Sequence, residues 1–399
     1  MKKVTYQHTL VACFIGYIVQ AIVNNFVPLL FLTFQSTYGI PLSKITFLVT
    51  FNFALQMLID LVSAGFIDKI GYRASAILAH VFAAAGFILL TILPDRMSDP
   101  FVGIMISVLI YAVGGGLLEV LISPIVEACP TDNKEMAMSM LHSFYCWGHV
   151  GVVLLSTLFF WLAGIENWKY MALIWALVPI ANILLFVKVP INHLIAEDEK
   201  GLGLGELLRR KAFWILMLMM VCAGASEQAV SQWASTFAEL GLGVSKTIGD
   251  LAGPMFFAIM MGSARAIYGK FGDRINLERF MVYSSLLCVA SYLITALSPW
   301  PILGLIGCGL CGLSVGIMWP GTFSMAASGI KNGGTLMFAL FALAGDIGCS
   351  GGPTVVGMVS SAAGDNLNKG ILAGIIFPIL LLLGILLNHF NQKKVVEKN

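Results

Sequence analysis

Charge is what this chain has least of. Asp, Glu, Lys and Arg make up 11% of its 399 residues, where a soluble globular domain carries about 25%. Long polar stretches are scarce as well, and 189–211 is the one extended segment rich in charge. So few ions cannot cover a water-facing exterior, which excludes a soluble domain. The sequence also lacks a glycine-rich phosphate loop, a nucleophile elbow and a basic patch of the kind that contacts nucleic acid. An intramembrane enzyme finds no catalytic constellation, and neither a cofactor nor a nucleic-acid partner is expected. The eight cysteines fall mostly inside apolar runs. Cys308 and Cys311 form a lone Cys-x-x-Cys without a second pair or a nearby histidine, so no metal site is expected.

What the chain has is apolar length. Apolar residues make up 58% of it, and its mean hydropathy is +0.90. A helix needs about 20 such residues to cross a bilayer. Twelve runs approach or exceed that, at 9–34, 44–67, 74–94, 100–127, 136–163, 168–188, 212–240, 246–268, 279–298, 301–327, 334–361 and 368–390. They are continuous rather than alternating, which predicts spanning helices and not a barrel. The expected fold is therefore an all-α membrane protein with twelve transmembrane helices. Lys2 and Lys3 precede a run too long for a signal-peptide core, so no cleavable signal is expected. An even helix count puts both termini on one side. Eighteen of the 23 Lys and Arg residues fall on that side, which the positive-inside rule assigns to the cytoplasm. The expected location is the inner membrane of a prokaryote.

A charged, glycine-bearing turn, Gly65-Phe66-Ile67-Asp68-Lys69-Ile70-Gly71-Tyr72-Arg73, lies between the second and third runs. A related turn returns as Gly269-Lys270-Phe271-Gly272-Asp273-Arg274-Ile275, with Asp68 and Asp273 separated by 205 positions. Ala64 and Asn276 stand where the pattern usually has glycine. The pair resembles the loop signature of the major facilitator superfamily, found between the second and third helices of each half. Asp60 lies eight residues before Asp68, and Arg265 lies eight before Asp273. Pro124 and Pro320 also align, bringing Gly116-Leu117 onto Gly312-Leu313 at an offset of 196, and Gly148-x-x-Gly151 matches Gly345-x-x-Gly348 at 197. These matches describe an internal repeat of two pseudo-symmetric six-helix bundles. The expected boundaries are 1–188 for the first bundle, 189–211 for a cytoplasmic linker with a short surface helix, and 212–399 for the second bundle with a short cytoplasmic tail. The tail after Phe390 is expected to be disordered.

Polar residues inside the runs carry the functional reading. Gln20 and Asn24 share a helix face beside Asn25, and Asn52, Gln56, Asp60 and Ser63 follow at helical spacing. Such amides either bond helix to helix or line a hydrophilic cavity. The seventh run carries Glu227, Gln228, Ser231, Gln232, Trp233 and Ser235, a face too polar to meet lipid. A carboxylate at mid-membrane costs at least several kcal/mol unless paired, hydrated or protonated. Glu119, Glu227 and Asp346 are thus candidates for proton coupling or solute binding, with His142 and His149 as partners; each could instead be a structural contact. Trp147, Trp233 and Trp319 sit beside polar or glycine-rich positions and suit the C–H faces of polyhydroxylated rings, although aromatics in lipid more often serve ordinary packing. Asp60, Asp68, Lys69, Arg73, Arg265, Asp273 and Arg274 are candidate gating charges.

Within the superfamily, Gly316-Ile317-Met318-Trp319-Pro320-Gly321-Thr322-Phe323-Ser324 resembles the fucose-permease branch, as do Gly114–Pro124 with Glu119 and Pro353-Thr354-Val355-Val356-Gly357. The resemblance implies proton-coupled sugar uptake with an acid on the first helix and another on the fourth. Glu119 matches the fourth-helix acid. The first helix carries Gln20, Asn24 and Asn25 and no acid, which leaves Glu227 to compensate. The expectation is a monomeric secondary transporter whose partners are a small polar solute, protons and the bilayer. Drug-efflux branches fit less well, because the fourth run has no basic residue and the fifth no proline. A non-transporting receptor or scaffold would have no use for the polar midplane.

Overall fold

The structure, a computed structural model, describes residues 5–40, 42–192, 194, 201–234, 251–364 and 366–396. Among these residues there is no strand, and long helices dominate. The first six are α1 (Tyr6–Asn25), α2 (Leu42–Ile70), α3 (Tyr72–Leu90), α4 (Pro100–Ala128), α5 (Lys134–Ala163) and α6 (Trp168–Phe186). The rest are α7 (Lys211–Ser231), α8 (Phe256–Phe271), α9 (Leu277–Leu297), α10 (Pro301–Val315), α11 (Met318–Gly329), α12 (Gly334–Ala362) and α13 (Ile376–Val396). Helices follow from the solvent: in hydrocarbon every backbone N–H and C=O must be satisfied within its own segment. Among the described residues ten stretches are long and apolar enough to cross a membrane, with α10 and α11 joined as one of them. Within α2, Phe51–Ser63 is a shorter apolar helical stretch that contains Asn52, Gln56 and Asp60. The seventh run was expected to reach 240 and the eighth to begin at 246; Ser235 and its neighbours to 250 lie outside the described residues. A short helix, Leu204–Leu208, precedes α7. The tail was expected to be disordered after Phe390, but α13 runs on to Val396.

The chain forms two compact units, Met1–Thr131 with Phe144–Asp198, and Asp132–Ser143 with Glu199–Asn399. The opening turns of α5 therefore group with the second unit. In the first unit α4 packs on α1, α2 and α3, and α3 also packs on α6. Close approach comes from missing side chains: a Cβ on Gly114 would lie 2.5 Å from the Ala79 carbonyl and 2.7 Å from the Ala83 nitrogen. In the second unit α7 packs on α12, where a Cβ on Gly352 would meet the Ala225 carbonyl at 2.5 Å. Small residues at crossings are how helices associate without a hydrophobic driving force between them.

Polar ties lock the first unit. Asn182 on α6 donates to the Ala12 carbonyl (3.0 Å) and to His80 Nε2 (2.8 Å), which assigns the His80 proton to Nδ1, facing the Ala76 carbonyl at 2.7 Å. Arg73 closes the end of α6, its guanidinium donating to the carbonyls of Phe186, Val187 and Val189 at 2.5, 3.0 and 2.7 Å. The two repeated turns close differently. Gly71 adopts φ +83°, open to glycine, and leads directly into α3. At the equivalent place Asn276 caps α9, its Oδ1 accepting from the Arg279 N–H at 2.9 Å.

At the other end of the first unit, outside the spanning segments, Asp95 accepts from Lys169 Nζ and from the Tyr38 hydroxyl (2.9 Å). The Lys169 bond chiefly holds the Asp95 carboxyl below its usual range, with Tyr38 assisting against burial. A carboxyl depressed in the fold stabilises above its unfolded pKa and loses that contribution as pH falls through the folded value. Acidification below the ordinary carboxylate range should therefore weaken this end, by at most about 1 kcal/mol for a half-exposed pair. Thermal unfolding scans at stepped pH would register the loss, and Asp95→Asn should remove it.

Candidate functional site

Each unit carries a polar cluster inside otherwise apolar helices. In the first, Gln20 on α1 is buried and its Nε2 donates to Glu119 Oε2 on α4 at 2.7 Å. One turn along α1, Asn24 Oδ1 accepts from Asn52 Nδ2 (3.2 Å) and Gln56 Nε2 (2.8 Å), both on α2. Tyr17 and Ser123 add a hydroxyl pair at 3.0 Å between α1 and α4. The chain direction explains the register. Because α1 runs against α2 and α4, Gln20 meets Glu119 at one level while Asn24 meets Asn52 and Gln56 at the next. Beside this lies a small cleft lined by Val23, Asn24, Asn52, Phe53 and Tyr111 among others. Asn25 instead turns back to the Ala21 carbonyl at 2.9 Å. Asp60 is fully buried, one turn beyond Gln56.

The second unit centres on Arg265. Its NH2 group meets Glu227 Oε2 at 3.1 Å, its NH1 donates to the His142 carbonyl at 3.2 Å, and its Nε donates to the Gly316 carbonyl at 2.7 Å. The last bond has a cause in the sequence. In an unbroken helix the Gly316 carbonyl would accept from the N–H of residue 320, and Pro320 has none. The helix breaks between α10 and α11 at this point, and the guanidinium supplies the missing donor. The other face of Arg265 is held through its backbone, whose carbonyl accepts from Ser139 Oγ at 2.8 Å, with Ser143 bonding the Gly262 carbonyl one turn before. Arg265 and Glu227 are 3% and 8% exposed, so the pair is desolvated on both sides.

Around the pair lies an aromatic stack. The His142 ring lies 5.9 Å from Phe323, which is 5.3 Å from Phe338 and 6.3 Å from Trp319. Trp319 presses on the backbone of Gly345, next to buried Asp346. Gln228 reaches Glu227 Oε1 at 3.4 Å. Gln232 is exposed beyond the end of α7, and Trp233 donates to the Pro353 carbonyl at 3.3 Å.

The sequence-derived set is thus brought together in two places, Gln20, Asn24 and Glu119 in one unit and Glu227, Gln228, Arg265 and His142 in the other. In the first unit Trp147 is exposed and His149 half-buried. Lys69 is exposed, and so are Asp273 and Arg274, whose charges approach only to 4.0 Å. Nothing is described for the Asp68 side chain, and Arg73 is occupied with the end of α6. Asn52 and Gln56 were legible from their spacing with Asp60 yet were not singled out as site residues. The Gly316 carbonyl was signalled only by the proline four residues on, and Ser139 and Ser143 by nothing distinctive.

Comparison with known proteins follows the same lines. The family profile described as Major Facilitator Superfamily matches residues 10–353. A curated relative, "Membrane protein MosC" of Rhizobium meliloti, is 24% identical over 308 residues, 75% of this chain and 71% of that one. Among solved structures, the E. coli fucose:proton symporter FucP superposes with a TM-score of 0.80 at 18% identity, over 96% of this chain and 99% of FucP. The proton:xylose symporter XylE gives 0.80 at 12% identity over 95% and 94% of the two chains. The human organic anion transporter MFSD10 gives 0.75 at 16% over 95% and 99%.

Proposed function

The chain belongs to the Major Facilitator Superfamily, and from that membership we propose that it imports a small polar solute, a sugar or sugar derivative, driven by protons. The observation that carries the reading is the placing of ionisable and amide groups at mid-helix in a chain otherwise short of charge, with Gln20 on Glu119 and Arg265 on Glu227. Groups held at such expense in lipid serve a pathway. FucP and XylE, whose folds this chain shares, are sugar:proton symporters, which favours that class of solute.

In this reading twelve helices form two six-helix bundles that rock to alternate access from an inner membrane, with both termini cytoplasmic. Glu119 and Glu227 exchange protons, with His142, His149 and Asp346 as neighbours in the relay. Gln20, Asn24, Asn25, Trp147, Gln228, Gln232, Trp233 and Trp319 contact solute. Among the candidate gating charges, exposed Lys69, Asp273 and Arg274 are free to form contacts that change with conformation, together with Asp60, Asp68, Arg73 and Arg265. A thermal-shift screen of the purified chain against sugars, polyols, organic acids and drugs tests the solute class. A neutral sugar or polyol at saturating concentration should raise Tm by about 2–5 °C. Shifts from organic acids or drugs alone would contradict it.

A further inference from the structure

The approach to α7 forms a charged elbow that the transport reading does not use. Arg209, Arg210 and Lys211 are consecutive and all exposed, and Lys211 opens a membrane-crossing stretch. Two bonds fix the bend. The Arg210 N–H donates to the Leu207 carbonyl at 3.0 Å, and Trp214 Nε1 donates to the Leu208 carbonyl at 2.8 Å, which holds the three cations between tied points. Adjacent like charges repel, and among the described residues none of the three pairs with a carboxylate. Glu206 is directed elsewhere, its Oε2 accepting from the Gly203 N–H at 2.8 Å. The acidic run Glu197-Asp198-Glu199 lies outside the described residues.

Apolar surface adjoins the cations. Leu207 is fully buried and pins the short helix Leu204–Leu208, while Leu204 and Leu208, four apart, share its outer face at 49% and 40% exposure. Trp214 is 54% exposed, its indole N–H already bonded and its ring edge-on to Phe213. Such a tryptophan suits the headgroup level of a bilayer. More positive charge stands at the same height. The chain through α13 runs against α7: a Cβ on Gly374 would lie 3.7 Å from Ala229 Cβ, and one on Gly384 would lie 2.5 Å from Met219 Cγ. Continuing that register brings the backbone of Lys393 level with Arg210. Cations above leucine and indole match a phosphate above acyl chains, whereas a free anion would use the cations alone.

We propose that this elbow binds an anionic phospholipid, its phosphate on Arg209, Arg210 and Lys211 and its acyl chains along Leu204, Leu208 and Trp214. The full chain is placed in nanodiscs of phosphatidylcholine alone and of an equal mixture with phosphatidylglycerol. Thermal unfolding is followed in both, and native mass spectrometry counts the lipid that stays bound. The mixture should raise Tm by about 2–4 °C at low salt and less at high salt, with roughly one phosphatidylglycerol retained per chain. The triple variant Arg209→Gln, Arg210→Gln, Lys211→Gln should lose most of the rise and the retained lipid. The triple variant Lys188→Gln, Arg274→Gln, Arg279→Gln removes the same charge from other exposed positions and should keep both. Equal Tm in the two lipids would overturn the site. An equal loss in the two triple variants would overturn it as well, by assigning the attraction to the charged face as a whole. Glycerol phosphate reproducing the rise in phosphatidylcholine nanodiscs would make this a free-anion site and overturn the lipid as its occupant.

Discussion

Replacing Arg265 with leucine should destabilise the protein by about 3–5 kcal/mol, the usual cost of leaving one member of a buried ion pair alone. In thermal unfolding this is a fall of roughly 10 °C. Two groups lose a partner they cannot replace. Glu227 is left as an uncompensated buried carboxylate, and the Gly316 carbonyl is left unbonded, while the His142 carbonyl keeps its place within the α5 helix. Gly316 cannot recover within its helix, because Pro320 offers no N–H. The companion variant separates the contributions. Arg265→Leu with Glu227→Leu removes both charges and should recover part of the loss, keeping the cost of the one orphaned carbonyl, about 1–3 kcal/mol. Glu227→Leu alone should cost less than Arg265→Leu, since the guanidinium keeps two carbonyl partners. Unchanged stability in Arg265→Leu would show that the pair and the helix break are not linked as described.

The second large effect concerns Glu119. Glutamine matches the side chain in shape and can still bond Gln20, but it cannot exchange a proton. One unit of pH gradient stores a factor of ten in concentration for each proton coupled to one solute molecule. Native protein in liposomes should therefore concentrate its solute up to about tenfold under an inside-alkaline gradient of one unit. Glu119→Gln should reach only the external concentration while still exchanging labelled for unlabelled solute. Loss of exchange as well would make Glu119 a binding residue rather than a carrier of the driving proton.

Much of this arrangement could be read from residue order, and the part that could not has a common cause. Helical spacing marked Gln20 with Asn24 and Asn52 with Gln56 and Asp60, because i and i+4 share a face whatever the helix packs against. The repeated turns marked the ends of α2 and α8 in the same local way. Pairings between helices are another matter. Nothing in the order of residues says that the donor missing at Pro320 is supplied by Arg265, or that Asn24 takes both amides of α2. Those facts depend on register and on side-chain direction, which packing decides. The turn at Asn276 is intermediate: the departure from glycine was visible, but its use as a helix cap was not.

The central claim is that these buried polar groups make the chain a proton-driven importer, and one flux measurement tests it most directly. Purified protein in liposomes is given a labelled neutral sugar, chosen by the thermal-shift screen, with and without an inside-alkaline gradient. Accumulation above the external level that collapses on adding a protonophore is the predicted result. Uptake indifferent to the gradient, or net movement of solute against the direction of proton entry, would contradict it.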